Sequence, residues 1–368
     1  MLLFTKTNII YADETHKLEL EIENLPSINI DNFQIRFYPQ FKDQYLAKQY
    51  LENNYYSTIQ KVIVYSNDYD ISIDDKKFLD IVFTTELMET EQDKELRKYL
   101  DLYENKEKNE MINSLYLNYI DETDTLKKEQ ILYALEEIMP IDTSKVNNIL
   151  YTNHTNNFKF LSLNSGISPM VLPFTPLEPG VYSNGYNRNV AREYAYTWAY
   201  TRNNTKYGYY ARRGNCSECW ADCTNFVSQV LYEGGMIQYH KAFWPIVGNI
   251  IQENSNNWYY YDNNNSEAPS YTWGAAVNFY NHWSKRTVVT TYPSMIKEMD
   301  SVSIDFEGDG DVEHTVIIYT KTSNSLAGLT YVAHSNYALG ASLQNAVGTG
   351  KWYGYIMEVA KNDGTFID

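Results

Sequence analysis

Cys223 stands one residue after Asp222, at the head of the segment Trp220-Ala221-Asp222-Cys223-Thr224-Asn225-Phe226-Val227-Ser228-Gln229-Val230-Leu231-Tyr232-Glu233-Gly234. Phe226, Val227, Val230 and Leu231 recur at helical spacing, Asp222 is a good N-cap residue, and Gly234 is a natural stop. The spacing predicts a helix with Cys223 in its first turn. A thiolate is a strong nucleophile, and a helix N-terminus lowers a thiol pKa through unpaired N–H groups and the macrodipole. The same N–H groups can hold a developing oxyanion. The competing reading is a buried structural cysteine, the commoner fate of a lone thiol.

A thiol nucleophile also needs a base. Of the six histidines, His314 opens the apolar run HTVIIYT, after the acidic turn Asp305-Phe306-Glu307-Gly308-Asp309-Gly310-Asp311. His334 ends the run LTYVAHS, twenty residues later. Two adjacent antiparallel strands at that spacing are expected to present both imidazoles on one side, one as base and one as its orienter. His16, His154, His240 and His282 lack such a setting and read as surface or packing residues.

The other cysteines are Cys216 and Cys219, giving Cys-x2-Cys-x3-Cys. An odd count is no disulfide framework. It resembles part of a zinc site without its fourth ligand, and a metal-bound Cys223 would not be a free nucleophile. The alternating oxygens of Asp305, Glu307, Asp309 and Asp311 are those of a calcium loop, but the twelve-residue pattern and its closing Glu are missing. This segment is read as a turn feeding the His314 strand, and no metal or cofactor is expected. Trp244, Trp258, Tyr259, Tyr260, Tyr261 and Trp273 are either a substrate groove or packing; Trp220 and Trp273 are the candidates for substrate contact.

These residues need a scaffold. Hydrophobic residues make up 43% of the 368, enough for a packed core. No apolar run approaches the ~20 residues that cross a bilayer. Thirty Lys and Arg against 47 Asp and Glu leave a net charge of −17, which repels phosphate backbones, so nucleic acid is not an expected partner. The first residues, MLLFTKTNIIYA, read equally as a signal-peptide stub ending near Ala12 or as a buried first strand.

Residues 17–24 alternate as a half-buried strand, and IQKVIVYSN (59–67) and FLDIVFTTEL (78–87) look like two more. Residues 91–139 carry apolar positions at helical spacing and predict two or three amphipathic helices. Pro169, Pro173, Pro176 and Pro179 mark a linker over 166–182, separating an N-terminal domain (1–165) from a C-terminal one (183–368). Asn187 is placed to cap a further helix, and SVSIDF, HTVIIYT, LTYVAHS and KWYGYIMEV read as strands. The fold class is α+β in both domains, the C-terminal one with its cysteine helix packed on an antiparallel sheet.

In order, YNRNVAREYAYTWAY, DCTNFVSQVLYEGGM, the Trp-rich middle, DFEGDGDVEHTVIIY and AHSN resemble the bacterial family described as a putative amidase domain. The resemblance covers roughly residues 183–360. It implies a papain-like cysteine amidase or peptidase with Cys223 as nucleophile and His314 as base. It also implies a third polar residue, His334 or else Asn336, with Asp222 as possible orienter or oxyanion support. It implies a peptide or peptidoglycan substrate and a secreted or cell-wall-associated protein. Two alternatives stand beside it: a catalytically silent binding or toxin-like module, and a zinc or redox module built on Cys216, Cys219 and Cys223. Residues before 180 carry no catalytic motif.

Overall fold

A computed structural model describes residues 20–30, 33–66, 69–75, 78, 82, 90–142, 176–207, 222–240, 254–260, 269–334 and 338–367. The N-terminal elements begin with two small antiparallel ribbons. β1 (Ile22–Glu23) pairs with β4 (Gln40–Phe41), and β2 (Ile28–Ile30) pairs with β3 (Phe33–Ile35). Helices α1 (Gln44–Asn54) and α2 (Tyr56–Ser66) follow. The expected strand over 59–67 is therefore wrong for its described part. Ile59, Val62 and Ile63 are buried while Val64 is 54% exposed, so the β-branched run follows the 3–4 residue period of a helix rather than alternation. Of the expected 78–87 strand, only positions 78 and 82 are described.

The charged region forms two long helices, as its spacing predicts. In α3 (Glu91–Asp121), Thr90 and Asp93 close a capping box, and Leu96, Leu100 and Ile112 are fully buried. In α4 (Thr125–Ile138), Asp124 accepts from the N–H groups of Leu126 and Lys127.

Asn187 caps α5 (Arg188–Trp198). The cysteine helix is α6 (Cys223–Glu233), followed by the short α7 (Tyr271–Gly274) and by α8 (Ala276–Arg286). The remaining chain builds β5 (Val289–Thr290), β6 (Ser301–Asp305), β7 (His314–Lys321), β8 (Leu329–Ala333), β9 (Ala338–Ser342), α9 (Leu343–Val347) and β10 (Lys351–Tyr355). These strands form an antiparallel sheet of six in the order β5-β10-β6-β7-β8-β9. The four strands expected from β-branched and aromatic runs are all in it.

Both faces of this sheet are covered, and strand alternation sorts the residues between them. Ile317, Val332, Tyr353 and Tyr355 join Phe226, Val227, Val230 and Leu231 of α6 in the larger core. Val316, Ile318, Ala333 and Trp352 join Leu343 and Val347 of α9 in another. Each fully buried aliphatic side chain contributes roughly 1.5–3 kcal/mol, so the sheet is held from both sides. Helix α3 reaches this region from the N-terminal half: its Arg97 lies 5.1 Å from the ring of Phe306.

Candidate active site

Asp222 and Cys223 lie where α6 begins, and both are almost completely buried, at 1% and 2% exposure. The Asp222 side chain does not cap the helix as expected. Its carboxylate is committed elsewhere: Oδ1 accepts from Asn225 Nδ2 at 2.7 Å, and Oδ2 pairs with His334 Nδ1 at 2.7 Å. Arg202 Nε adds a cation 3.4 Å from the same Oδ2. A buried carboxylate needs such donors, because desolvation without them is costly.

His334 is held on three sides. Besides Asp222, its Nε2 lies 2.7 Å from the carbonyl oxygen of Trp198, the last residue of α5. Its ring stacks on Phe226 with centroids 3.9 Å apart and planes at 16°. Both ring nitrogens face acceptors.

Cys223 is a free thiol. Its Sγ is 3.7 Å from Thr224 Oγ1 and meets the backbone N–H of Thr315, while Thr224 Oγ1 bonds Thr315 Oγ1 at 3.1 Å. Burial pushes the thiol above its ordinary range, and it outweighs the hydrogen bonds from Thr315 and Thr224 that act the other way. The expected lowering at the helix N-terminus is thus overridden by desolvation. The resting sulfur is protonated at neutral pH. Alkylation of Cys223 by iodoacetamide is therefore expected to be slower than that of free cysteine at pH 7. It should still be accelerating at pH values where the rate for free cysteine has levelled off, as read by mass spectrometry across a pH series. A rate already flat between pH 7 and 8 would contradict a raised thiol.

His314 heads β7, opposite Ile304 of β6. Its ring stacks on Phe306 at 6.0 Å. Burial, helped by the charge of Arg97, pushes its pKa down to about 4, so the imidazole is neutral at pH 7. Among the described residues its ring makes no hydrogen bond.

The expectation that both imidazoles share one side of the sheet is overturned by the strand register. Ile317 pairs with Val332, so Thr315 falls opposite position 334. Thr315 and His334 therefore face α6, and His314, one residue earlier, faces the other layer beside Phe306. His334 orients against Asp222, not against His314. Thr315 nevertheless joins the two: its N–H meets the sulfur, and its peptide bond carries His314.

Trp273 is fully buried, donating from Nε1 to Asn225 Oδ1 at 2.9 Å and packing 4.8 Å from Trp258. It supports Asn225, which supports Asp222, and has no surface to offer a substrate; this corrects the expected contact role. Trp258 and Tyr259 are likewise core, and His282 is a packed residue with Nδ1 on the carbonyl of Ser255. Trp220, Trp244, Tyr261, Asn336, Cys216, Cys219, His16 and His154 lie outside the described residues. The acidic turn behaves as expected: Asp305 accepts from the N–H groups of Gly308, Asp309 and Gly310, with Gly308 and Gly310 at φ of 75° and 97°. Sequence reasoning missed Arg202 and the Trp198 carbonyl. Only the position of Trp198 at the end of a predicted helix hinted that its carbonyl needs a donor.

This constellation lies inside a stretch with known relatives. Residues 185–355 match the family described as a putative amidase domain. The C-terminal half carries that family's domain. No curated protein and no solved structure matches the chain. The amidase domain contains Asp222, Cys223, His314 and His334, and its assignment points to amide hydrolysis by the C-terminal half.

Proposed function

We propose that the amidase domain hydrolyses a peptide or amide bond through the thiol of Cys223. The observation that carries this reading is a free thiol in the first helical turn, bordered by a buried Asp222–His334 pair and by the strand that begins with His314. His314 is the base in this reading: its ring is neutral and, among the described residues, takes no hydrogen bond, whereas both nitrogens of His334 are already engaged. In the reaction the start of β7 first turns the His314 ring from the layer beside Phe306 toward α6; the ring then accepts the thiol proton and sulfur attacks the carbonyl carbon. The oxyanion forms beside the N–H groups at the start of α6. Collapse expels the amine, which takes the proton back from His314, and water hydrolyses the thioester. His334 and Asp222 hold the helix start against α5 and act as positioning residues.

The substrate class is a cell-wall peptide, and the protein works secreted or at the wall. The family description supports amide hydrolysis, and resemblance to cell-wall cysteine peptidases supports this substrate. Incubation with purified sacculi, followed by mass spectrometry of the released muropeptides, tests it. New free amines at one amide position are the expected product. Unchanged muropeptides would remove the cell-wall assignment. One observation favours a second reading, a silent binding module: the sulfur's bonding partners are Thr224 and Thr315 rather than an imidazole.

A further inference from the structure

His314 is the first residue of β7, directly after the turn 306–313, so the placement of that turn sets which side of the sheet its ring faces. The resting ring lies on the layer away from α6, stacked 6.0 Å from Phe306 with the planes at 20°. Phe306 in turn lies 5.1 Å from the guanidinium of Arg97 on α3. Arg97 feels the charges of Glu307 and Glu313, and its own charge opposes protonation of His314. An arginine from the N-terminal half therefore backs the aromatic ring on which the proposed base rests.

The remainder of the turn is held from the same direction. Asn105 Nδ2 donates to Asp309 Oδ2 at 2.9 Å, and Lys108 Nζ is 2.5 Å from Asp311 Oδ2. The N–H of Ile141 donates to the carbonyl of Gly310 at 3.1 Å. Phe306, Asp309, Gly310 and Asp311 are thus all touched by the N-terminal half. The end of α4 is an anchor: Ile141 belongs to the larger core, and Asn281 of α8 donates to the carbonyl of Glu136 at 3.2 Å. The contact from α3 is different in kind, being polar and burdened with like charges. Asp101 lies among the charges of Asp309, Asp311 and Glu307, and Lys108 is shared between Asp311, Asp101 at 3.4 Å and Glu104 at 3.5 Å. Carboxylates repel strongly in a partly desolvated interface, so this clasp is set close to opening. It can release the turn while α4 stays in place.

We infer that α3 is a built-in restraint on the amide-hydrolysing site: through Arg97, Asn105 and Lys108 it holds the 306–313 turn, and with it the His314 ring, away from Cys223 until the clasp opens. It rests on the proposed pairing of Cys223 with His314. The three α3 residues act as positioning residues, and none of them touches the sulfur. The movement required is short. The N–H of Thr315 already meets the sulfur, so His314 is one peptide bond from it. His314 is also the last residue of β7 paired with β6, opposite Ile304. Turning that end inward leaves the pairs from Thr315 to Ile317 intact. A restraint of this kind also accounts for a resting thiol whose partners are Thr224 and Thr315 rather than an imidazole.

The test uses the full chain and needs no substrate. Lys108→Glu, checked for folding by circular dichroism, should speed alkylation of Cys223 by iodoacetamide at pH 7 at least about tenfold over the parent, because the released imidazole can ionise the thiol. Mass spectrometry of the peptide carrying Cys223 gives the rate. Asn105→Asp, which sets a carboxylate against Asp309, should give a gain in the same direction and serves if the first variant does not fold. Adding His314→Ala to either variant should abolish the gain. Unchanged alkylation in the folded variants overturns the restraint. So does a gain that survives His314→Ala, which marks mere exposure of the sulfur. A His314-dependent gain in a protein that hydrolyses no amide keeps the restraint and removes the hydrolase reading. Cys223-dependent hydrolysis without any gain keeps that reading and removes the restraint.

Discussion

Replacing Cys223 with alanine is expected to lower kcat/KM for amide hydrolysis by at least about a thousandfold, because the covalent route disappears with the sulfur. The size of the effect follows from the chemistry: only residual binding and oxyanion contacts remain to speed the direct attack of water. The same substitution should leave the fold intact. The thiol makes only weak contacts, with Thr224 at 3.7 Å and with the N–H of Thr315, and its loss removes a single buried atom from the edge of a core built by Phe226, Val227 and Val230. That costs on the order of 1 kcal/mol, well below the total stability of a domain. The check is paired: product formation from a substrate that the unaltered protein cleaves, and thermal unfolding followed by circular dichroism. Unchanged hydrolysis by a folded Cys223→Ala protein would remove the cysteine from the mechanism. Unchanged unfolding with abolished hydrolysis would separate chemistry from structure. Cys223→Ser is expected to be nearly as damaging, since a hydroxyl beside the Thr315 N–H keeps the shape but ionises far less readily.

The parts of this site that were legible in the sequence are those specified locally. A helix needs a capping group and a repeating apolar face: Asn187 announces α5, and the apolar spacing over 91–139 announces α3 and α4. β-Branched and aromatic runs announce the four long strands around His314 and His334. Where a run fits both periods, as at Ile59, Val62 and Ile63, the sequence cannot decide, and packing chooses the helix. The site's geometry was less readable because it turns on register. Shifting β7 against β8 by one residue would exchange the faces of His314 and Thr315, and no local propensity sets that pairing. The role of Asp222 was hidden for a similar reason. Its partners include Arg202 and His334, the latter 112 positions away, and the ring's other nitrogen ends on a backbone carbonyl, which leaves no mark in the sequence. Trp273 reads as either groove lining or packing until Asn225 is seen to take its indole N–H.

The two histidines are expected to fail in different ways, and that difference decides which one handles the proton. His314→Ala removes a ring that has no hydrogen bond among the described residues and is stacked 6.0 Å from Phe306. It should unfold little earlier than the parent while losing at least about a thousandfold in kcat/KM, as expected of a missing general base acting with a nucleophile. His334→Ala instead strips the Trp198 carbonyl of its donor and removes from buried Asp222 the imidazole partner at 2.7 Å, leaving it Asn225 and Arg202. Removing one partner of a buried pair costs up to about 3–5 kcal/mol, which should appear as a clear drop in the urea midpoint together with lost activity. Asp222→Asn and His334→Ala should then be strongly non-additive in stability, because each removes the same pair. If His334→Ala proves as stable as the parent yet inactive, and His314→Ala retains activity, the proton passes through His334. The bond to Trp198 would then have to open during turnover, since it occupies the only ring nitrogen not facing Asp222.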